Sequence, residues 1–277
     1  MSDLISITGA SGKTGRRVAE RLRAAGRMVR PLSRNTSPTF DWTDQAGWQD
    51  ALAGSSAAYI AYAPDIALPG AVDDVAAFID VALRAGARRL VMLSGRGEAE
   101  AVAAEEVLKA SGADWTIVRA SWFCQNFSEG FFVDEVLGGR VHFPRLDTPE
   151  PFVDADDIAD VVANAFLDPH HIGQLYEVTG PELLTFRQAL ETIGAATGRS
   201  LETVPVSIPD YLAALRQAQV PEVYVGLLGY LIEEVLDGRN MSTADGIERA
   251  LGRPARSFRD YAEAAARAGA WPASKVA

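Results

Sequence analysis

Cysteine is almost missing from this sequence. Cys124 is the one thiol in 277 residues, so no internal disulfide can form, which is the usage expected of a reducing compartment. Histidine is nearly as scarce. His142, His170 and His171 are the full set, and none has the spacing to cysteine or carboxylate that a zinc site needs, so no metal is expected. His170 and His171 fall in "DPHHIG", which reads as a surface turn. No apolar run reaches the ~20 residues that span a bilayer. Basic residues are in deficit, 26 against 37 acidic, and the formal net charge is -11. That balance argues against nucleic acid or an anionic membrane as partner and leaves a small-molecule substrate, with room for a local basic pocket. The first strand begins within a few residues of Met1, leaving no space for a signal peptide, and the expectation is a cytoplasmic protein. Tandem repeats and low-complexity linkers are also absent, and nothing in the sequence fixes an oligomeric state.

What the sequence does have is glycine in a telling place, the opening stretch "LISITGASGKTGRRV". Its "GKT" suggests an ATP-type phosphate loop, but that loop needs a glycine five residues before Gly12, where Ile7 stands inside an apolar run. The other reading places Gly9, Gly12 and Gly15 in a turn between a strand and an amphipathic helix with Val18, Leu22 and Ala24-Ala25 on its buried side. Glycines there let backbone approach a pyrophosphate, and the helix N-terminus offers it free N–H groups and the positive end of the dipole. Gly9, Ser11, Gly12, Lys13, Thr14 and Gly15 are therefore candidate cofactor-binding residues, Lys13 either adding positive charge or standing as a solvated loop residue.

Apolar runs alternate with helical patterns through the first two-thirds of the chain. Strands are predicted at Leu4 to Thr8, Met28 to Ser33, near Phe40, Ala57 to Ala61, Arg89 to Ser94, Asp114 to Arg119 and Gln174 to Thr179. Helices are predicted at Gly15 to Ala25, Gln45 to Leu52, Val72 to Ala85, Glu98 to Ser111 and Ala155 to Phe166. This alternation implies an α/β fold, a doubly wound parallel sheet of the Rossmann type with its ligand crevice at the C-terminal ends of the strands. From about Gly180 the pattern turns helical, at Thr185 to Thr197, Pro209 to Ala218, Pro221 to Asp237, Thr243 to Leu251 and Ser257 to Ala268. The expected organisation is a dinucleotide-binding domain over 1–180 and a small, mainly helical C-terminal cap over 181–277 that binds substrate, with an approximate boundary that the chain can recross.

After the second strand, an NAD-binding protein places an acid for the ribose 2′-hydroxyl, whereas a basic residue suits the 2′-phosphate of NADP. Here the strand ends "RPLSRN" with no carboxylate, and Arg34 is the candidate phosphate grip. NADP(H) is thus preferred, with NAD(H) as the alternative. Asp41 in "FDW" is read either as an adenine contact or as a turn cap.

Taken together, "ITGASGKTGRRVAERL", "FDWTD", "ALRAGARRLVMLSGRGE", "ASGADWTIVRASWFCQNF", "PFVDADDIADVV", "YEVTGPELLTF" and "ALGRPARSFRDYA" make the chain resemble the NmrA-like group of atypical short-chain dehydrogenases. That group includes quinone oxidoreductase-like and festuclavine synthase-type reductases, and the similarity runs over nearly the whole chain. The resemblance implies a cofactor groove along Gly9 to Gly15, Arg34, the strand end Ala61-Tyr62-Ala63-Pro64 and Ser94.

Ordinary short-chain dehydrogenases use a Tyr-x-x-x-Lys pair, the lysine lowering the tyrosine pKa so that the phenol can serve a carbonyl. Aligning "AVAAEEVLKASG" with that helix puts Gly97 at the tyrosine position and Ala101 at the lysine position. Hydride chemistry survives this loss, because the nicotinamide supplies it. Iminium ions, quinones and conjugated enones need the least help from a protein acid, so an NADPH-dependent reductase of such molecules is the leading reading. A non-catalytic NADP(H) redox sensor and a redox-neutral biosynthetic rearrangement or isomerisation are the alternatives. Ser94 and Tyr224 are the candidate proton donors. The segment "ASWFCQNF" offers Trp122, Phe123, Asn126 and Phe127 as substrate-pocket residues, with packing as the competing reading for the three aromatics. Cys124 is assigned to packing, and Asp154, Asp156 and Asp157 to a helix N-terminus.

Overall fold

The computed structural model describes residues 3–272. Along the chain they form β1 (Leu4–Ile7), α1 (Lys13–Ala24), β2 (Met28–Pro31), α2 (Trp48–Leu52), β3 (Ala57–Ile60), α3 (Ala71–Arg84), β4 (Arg89–Gly95), α4 (Ala99–Ala110) and β5 (Asp114–Ala120). Next come α5 (Val133–Gly138), β6 (Arg140–Phe143), β7 (Pro149–Glu150), α6 (Ala155–Leu167), β8 (Gln174–Val178), β9 (Leu184–Thr185), α7 (Phe186–Thr197) and β10 (Glu202–Pro205). The last helices are α8 (Ile208–Gln217), α9 (Glu222–Tyr230), α10 (Gly246–Leu251) and α11 (Phe258–Arg267). They divide into two compact units. One runs through Ala120 and includes Ala155–Val178 and Asp245–Arg253; the other holds Ser121–Asp154, Thr179–Ala244 and the chain from Pro254.

The first unit is built on six parallel strands in the order β2-β1-β3-β4-β5-β8. β3 is buried at every position and β4 is buried at Leu90, Val91 and Met92, as parallel strands covered by helices on both faces must be. The chain steps from β1 outward to β2 and then back across to β3, so the order reverses between β1 and β3. In such sheets the ligand crevice lies at that reversal, outside the C-terminal strand ends. α1 and α6 are joined by ion pairs, Arg21 to Asp156 at 2.7 Å and Arg17 to Asp156 at 3.3 Å, with Arg21 also bonded to Asp160. Arg253 reaches Asp157 at 2.7 Å and Asp160 at 2.6 Å. The acids of "DADDIAD" from Asp156 onward thus hold arginines of α1 and of the chain after α10.

Two expectations for this unit are corrected. No strand forms near Phe40. Instead Phe40, Trp42, Trp48 and Phe78 pack as a cluster, Phe40 stacked on Trp48 at 5.7 Å and edge-on to Trp42 at 5.1 Å. The Trp48 indole N–H donates to the Asp41 carbonyl at 2.7 Å. Alternating aromatics look like a strand in sequence, but here both Phe40 and Trp42 turn into the same core. His171 is likewise not a surface residue: it is buried, with Nδ1 2.7 Å from the Tyr176 hydroxyl, while His170 is exposed.

The second unit contains α5, α7, α8, α9 and α11 with two small sheets, parallel β6 with β10 and antiparallel β7 with β9. Its interior is aromatic: Phe127 stacks on Phe132 at 5.1 Å, and Phe152, Phe186 and Phe258 close around them. Capping boxes start α7 (Thr185 with Gln188) and α11 (Ser257 with Asp260). The helix expected over Pro221 to Asp237 relaxes to a π-turn over Leu231–Val235.

The two units interleave along the chain. Ser121–Asp154 belongs to the second, and α10, expected in the cap, belongs to the first. The physical reason is that α10 lies directly on β8: a side chain at Gly246 would place its Cβ 2.2 Å from the Glu177 carbonyl oxygen. That closeness covers the edge strand of the sheet. Phe40→Ala should lower stability by about 3–5 kcal/mol in chemical denaturation, the usual cost of emptying a buried aromatic site. A loss below about 0.5 kcal/mol, typical of surface positions, would contradict its place in this core.

Candidate functional site

The C-terminal edge of the parallel sheet gathers the sequence-selected residues of the first unit. β1 is followed by Thr8, whose hydroxyl accepts from Ala61 N–H at 2.8 Å and donates toward the Tyr59 and Ala61 carbonyls. This ties the start of the glycine turn to the end of β3. Gly9 follows with φ +60, a conformation that favours glycine, and its missing Cβ would stand 3.3 Å from Ala61 Cβ. Gly12 N–H closes the turn on the Gly9 carbonyl at 2.8 Å. Gly15 is the tightest position: a Cβ there would lie 2.2 Å from Gly9 O and 2.7 Å from its carbonyl carbon. α1 can begin this close to the turn only because residue 15 has no side chain.

The resulting helix end suits an anion. Gly12 gives α1 no side-chain cap, and its first turn carries no acidic residue. N–H groups at such an end are donors in search of an acceptor, reinforced by the helix dipole. Ser11 and Gly12 are exposed and Lys13 is half-buried. Thr14 faces inward instead, its hydroxyl accepting from Tyr59 at 3.1 Å, and burial pushes the Tyr59 phenol up so that it stays a donor. Thr14 therefore contributes its backbone to the edge while its side chain anchors the helix to the sheet.

Beyond β2, Arg34 is exposed and forms no hydrogen bond or ion pair among the described residues. Asp41 is half-buried and closes a local turn, accepting from Thr43 N–H and Oγ1 at 2.9 Å each. Those bonds, the backbone one foremost, hold its carboxyl below the usual range, with the nearby Arg34 charge adding to the effect. The turn-capping role of Asp41 is thus present in the geometry.

At the ends of β3 and β4, Ala63 is exposed and Ser94 is buried. The Ser94 hydroxyl donates to Glu105 Oε1 at 2.6 Å, and Arg119 grips the same carboxylate at 2.8 and 2.5 Å. Arg119 and Arg96 both reach Glu177, at 3.5 and 2.7 Å. The buried Glu105 is thereby fully paired, as a buried carboxylate must be. Ser94 has its one proton committed to this network, which fixes α4 against β4 and β5. Two acids of this edge were not singled out from sequence: Asp65, just beyond β3, and Glu98, between β4 and α4. In sequence Glu98 reads only as a helix start.

In the second unit, Phe127 has no exposed surface and Cys124 is also fully buried, so both are packing residues. Trp122 is nearly buried, edge-on to Phe186 at 5.5 Å, while Phe123 and Asn126 are half-buried. Phe123 bridges to Val153, and Gln125 donates to Asp154 at 2.7 Å. Tyr224 lies on α9 and is 44% exposed. The sequence-selected residues thus fall in two places, the strand-end edge of the first unit and the segment after β5 in the second.

The model of the NmrA-like family matches residues 1–263. The chain belongs to the NmrA-like family. Among its relatives, the (4-alkanoyl-5-oxo-2,5-dihydrofuran-3-yl)methyl phosphate reductase of Streptomyces griseus is 31% identical over 281 residues, covering 93% of this chain and 96% of that protein. The festuclavine dehydrogenase of Aspergillus fumigatus is 27% identical over 284 residues, covering 94% of this chain and 96% of that one. In structure, the NADPH-dependent quinone oxidoreductase of Escherichia coli, solved with NADPH, superposes with a TM-score of 0.78 at 20% identity, over 94% of this chain and 99% of that one. The NmrA-like fold is therefore shared along the full length. No helix among the described residues is long and apolar enough to cross a membrane.

Gly15→Ala tests the turn in this NmrA-like chain. The added methyl must push α1 off Gly9, so fluorescence titration should show NADPH affinity falling at least about tenfold, roughly 1.4 kcal/mol, with helix content by circular dichroism retained. Unchanged affinity would show that the turn holds no pyrophosphate.

Proposed function

We propose that this NmrA-like protein is an NADP(H)-dependent oxidoreductase that passes hydride to a small conjugated or cationic organic acceptor, a quinone, enone or iminium, without a Tyr-x-x-x-Lys relay. The observation that carries the reading is the uncapped N-terminus of α1 held against the glycine turn, packed so closely that a Cβ at Gly15 would lie 2.2 Å from the Gly9 carbonyl oxygen. These residues fit a dinucleotide: backbone N–H groups of the α1 start would take the pyrophosphate, and Arg34, exposed and unpaired among the described residues, would take a ribose 2′-phosphate. No carboxylate occupies the strand end where an NAD-preferring chain would place one, and Asp41 is spent on its own turn.

When bound, the reduced nicotinamide supplies the hydride. The chain's own part is orientation and charge. Aligned with the usual pair, the tyrosine and lysine positions fall at Gly97, just before α4, and at Ala101, and neither residue has a side chain that could serve as phenol or amine. Acceptors that already carry positive charge, or whose product anion is delocalised, are the ones such a site can reduce. The relatives named as a furanone phosphate reductase, a festuclavine dehydrogenase and a quinone oxidoreductase support this substrate class.

Arg34→Glu should weaken NADPH by about 100-fold or more in calorimetric titration while leaving NADH nearly unchanged, since one phosphate contact of this kind is worth a few kcal/mol. Equal losses for both cofactors would remove Arg34 from the phosphate site. For the reaction itself, NADPH consumption should be seen with quinones, enones and cyclic iminium ions and not with simple ketones. Tight cofactor binding with no turnover on any acceptor would favour the redox-sensor or redox-neutral alternatives.

A further inference from the structure

Reduction of an enone or quinone needs a proton as well as a hydride, and neither Ser94 nor an activated tyrosine supplies one at the strand-end edge. We propose that Glu98 is the acid that protonates these acceptors, its carboxyl held at the C-terminal edge of the sheet in a notch over Gly95. The assignment rests on the reductase reading above.

The geometry is specific. Glu98 occupies the N-cap position of α4 with extended backbone, φ -106 and ψ 122, yet its side chain caps no helix N–H. It folds back over the end of β4. A Cβ at Gly95 would stand 2.0 Å from Glu98 Oε2, 2.2 Å from Cδ and 2.4 Å from Oε1, so the whole carboxyl fills the space that a side chain at residue 95 would take. Oε2 is sealed from solvent and has no hydrogen-bond partner among the described residues, and the same holds for Glu100 Oε2. Leaving an anionic oxygen in that state is costly, and binding a proton removes most of the cost.

The surroundings act in the same direction. Burial first, then the charges of Asp65 and Glu100, hold the Glu98 carboxyl well above its ordinary range. Asp65 lies beyond β3 and accepts from Ala67 N–H at 2.9 Å; the charge of Lys13, from the glycine turn, acts on it in turn. Asp65 from the loop after β3, Glu100 from the first turn of α4 and Lys13 from the start of α1 are the charged groups that bear on Glu98 or on its neighbour. A carboxylic acid kept neutral by burial and by neighbouring acids is a known way of holding a general acid near neutral pH. The β4 end is next to β3 in the sheet, on the same edge as the reversal point that carries the glycine turn.

The balance is simple. In an enone or quinone, hydride transfer from a reduced nicotinamide would leave an enolate or hydroquinone anion; the proton passes from Glu98 through Oε1, the carboxyl oxygen that is not sealed, that O–H bond breaks, a new bond from the hydrogen to the product forms, and the electron pair stays on the carboxylate. Solvent returns the proton. An iminium ion is neutralised by the hydride alone and draws nothing from Glu98.

The test has two readouts. In cofactor-free protein carrying 13C-labelled glutamate, NMR titration should show one carboxyl, missing in Glu98→Gln, titrating above the ordinary value of about 4.3. Gly95→Ala, which keeps every charge but expels the carboxyl from its notch, should bring that carboxyl back toward the ordinary value. With cofactor, Glu98→Gln should lower turnover of an enone about 100-fold relative to turnover of a cyclic iminium, the scale of a lost general acid. Enone turnover in the unaltered enzyme should fall as pH rises through the Glu98 pKa, because the acid form is lost there. An ordinary titration value, or an unchanged enone-to-iminium ratio in active enzyme, overturns the assignment alone. No turnover of either acceptor by the unaltered protein overturns the reductase reading and the assignment with it.

Discussion

The strand-end edge that carries the glycine turn depends on one close approach, that of the first turn of α1 to the carbonyl of Gly9. A Cβ at residue 15 would sit 2.2 Å from that oxygen, so the absence of a side chain there allows the helix to begin directly at the strand end. Several other features follow from this. The turn is short enough for Gly12 N–H to close on Gly9, the helix N–H groups stay near the strand ends, and the Thr14 hydroxyl reaches Tyr59 inside the sheet. Thr8 then locks the turn to the neighbouring strand through Ala61. A helix N-terminus exposed this way attracts an anion with little positive side-chain charge, which is compatible with a chain of net charge -11.

The acids of the same edge divide into two kinds. Glu105 is wholly buried and wholly satisfied, with Ser94, Arg119 and, further off, Lys109 around it. Such a network fixes geometry and has nothing left to give. Glu98 is less deeply placed but less satisfied, with an oxygen sealed against a glycine and other acids acting on it. The difference lies in partners rather than burial, and it separates a structural carboxylate from one whose protonation state is sensitive to what binds beside it.

The layout of the sheet was legible in the sequence because its strands are short buried runs punctuated by turn residues, a local signal. β1, β2, β3, β4, β5 and β8 all begin at the expected residue. Near Phe40 the sequence misleads because "FDW" carries the alternation of a strand, whereas both aromatics turn into one cluster with Trp48 and with Phe78, the latter too distant in sequence for any local pattern to show. Which segments cross between the units was hidden for the same reason: α10 looks like one more helix of the C-terminal run until Gly246 is found against Glu177. At the site, the glycine turn was readable because its spacing is local. The commitment of Ser94 to Glu105 and the notch that Gly95 makes for Glu98 involve side-chain directions that spacing does not encode.

The reaction proposed for this chain carries hydride from the cofactor to carbon of an enone or iminium acceptor. It is tested most directly by incubating the protein with NADPH carrying deuterium on the transferred position and a cyclic enone or iminium ion, then locating the label in the product by mass spectrometry and NMR. One deuterium should appear on the electrophilic carbon for each NADPH consumed. A product free of deuterium, or cofactor bound tightly and left unconsumed, would contradict it.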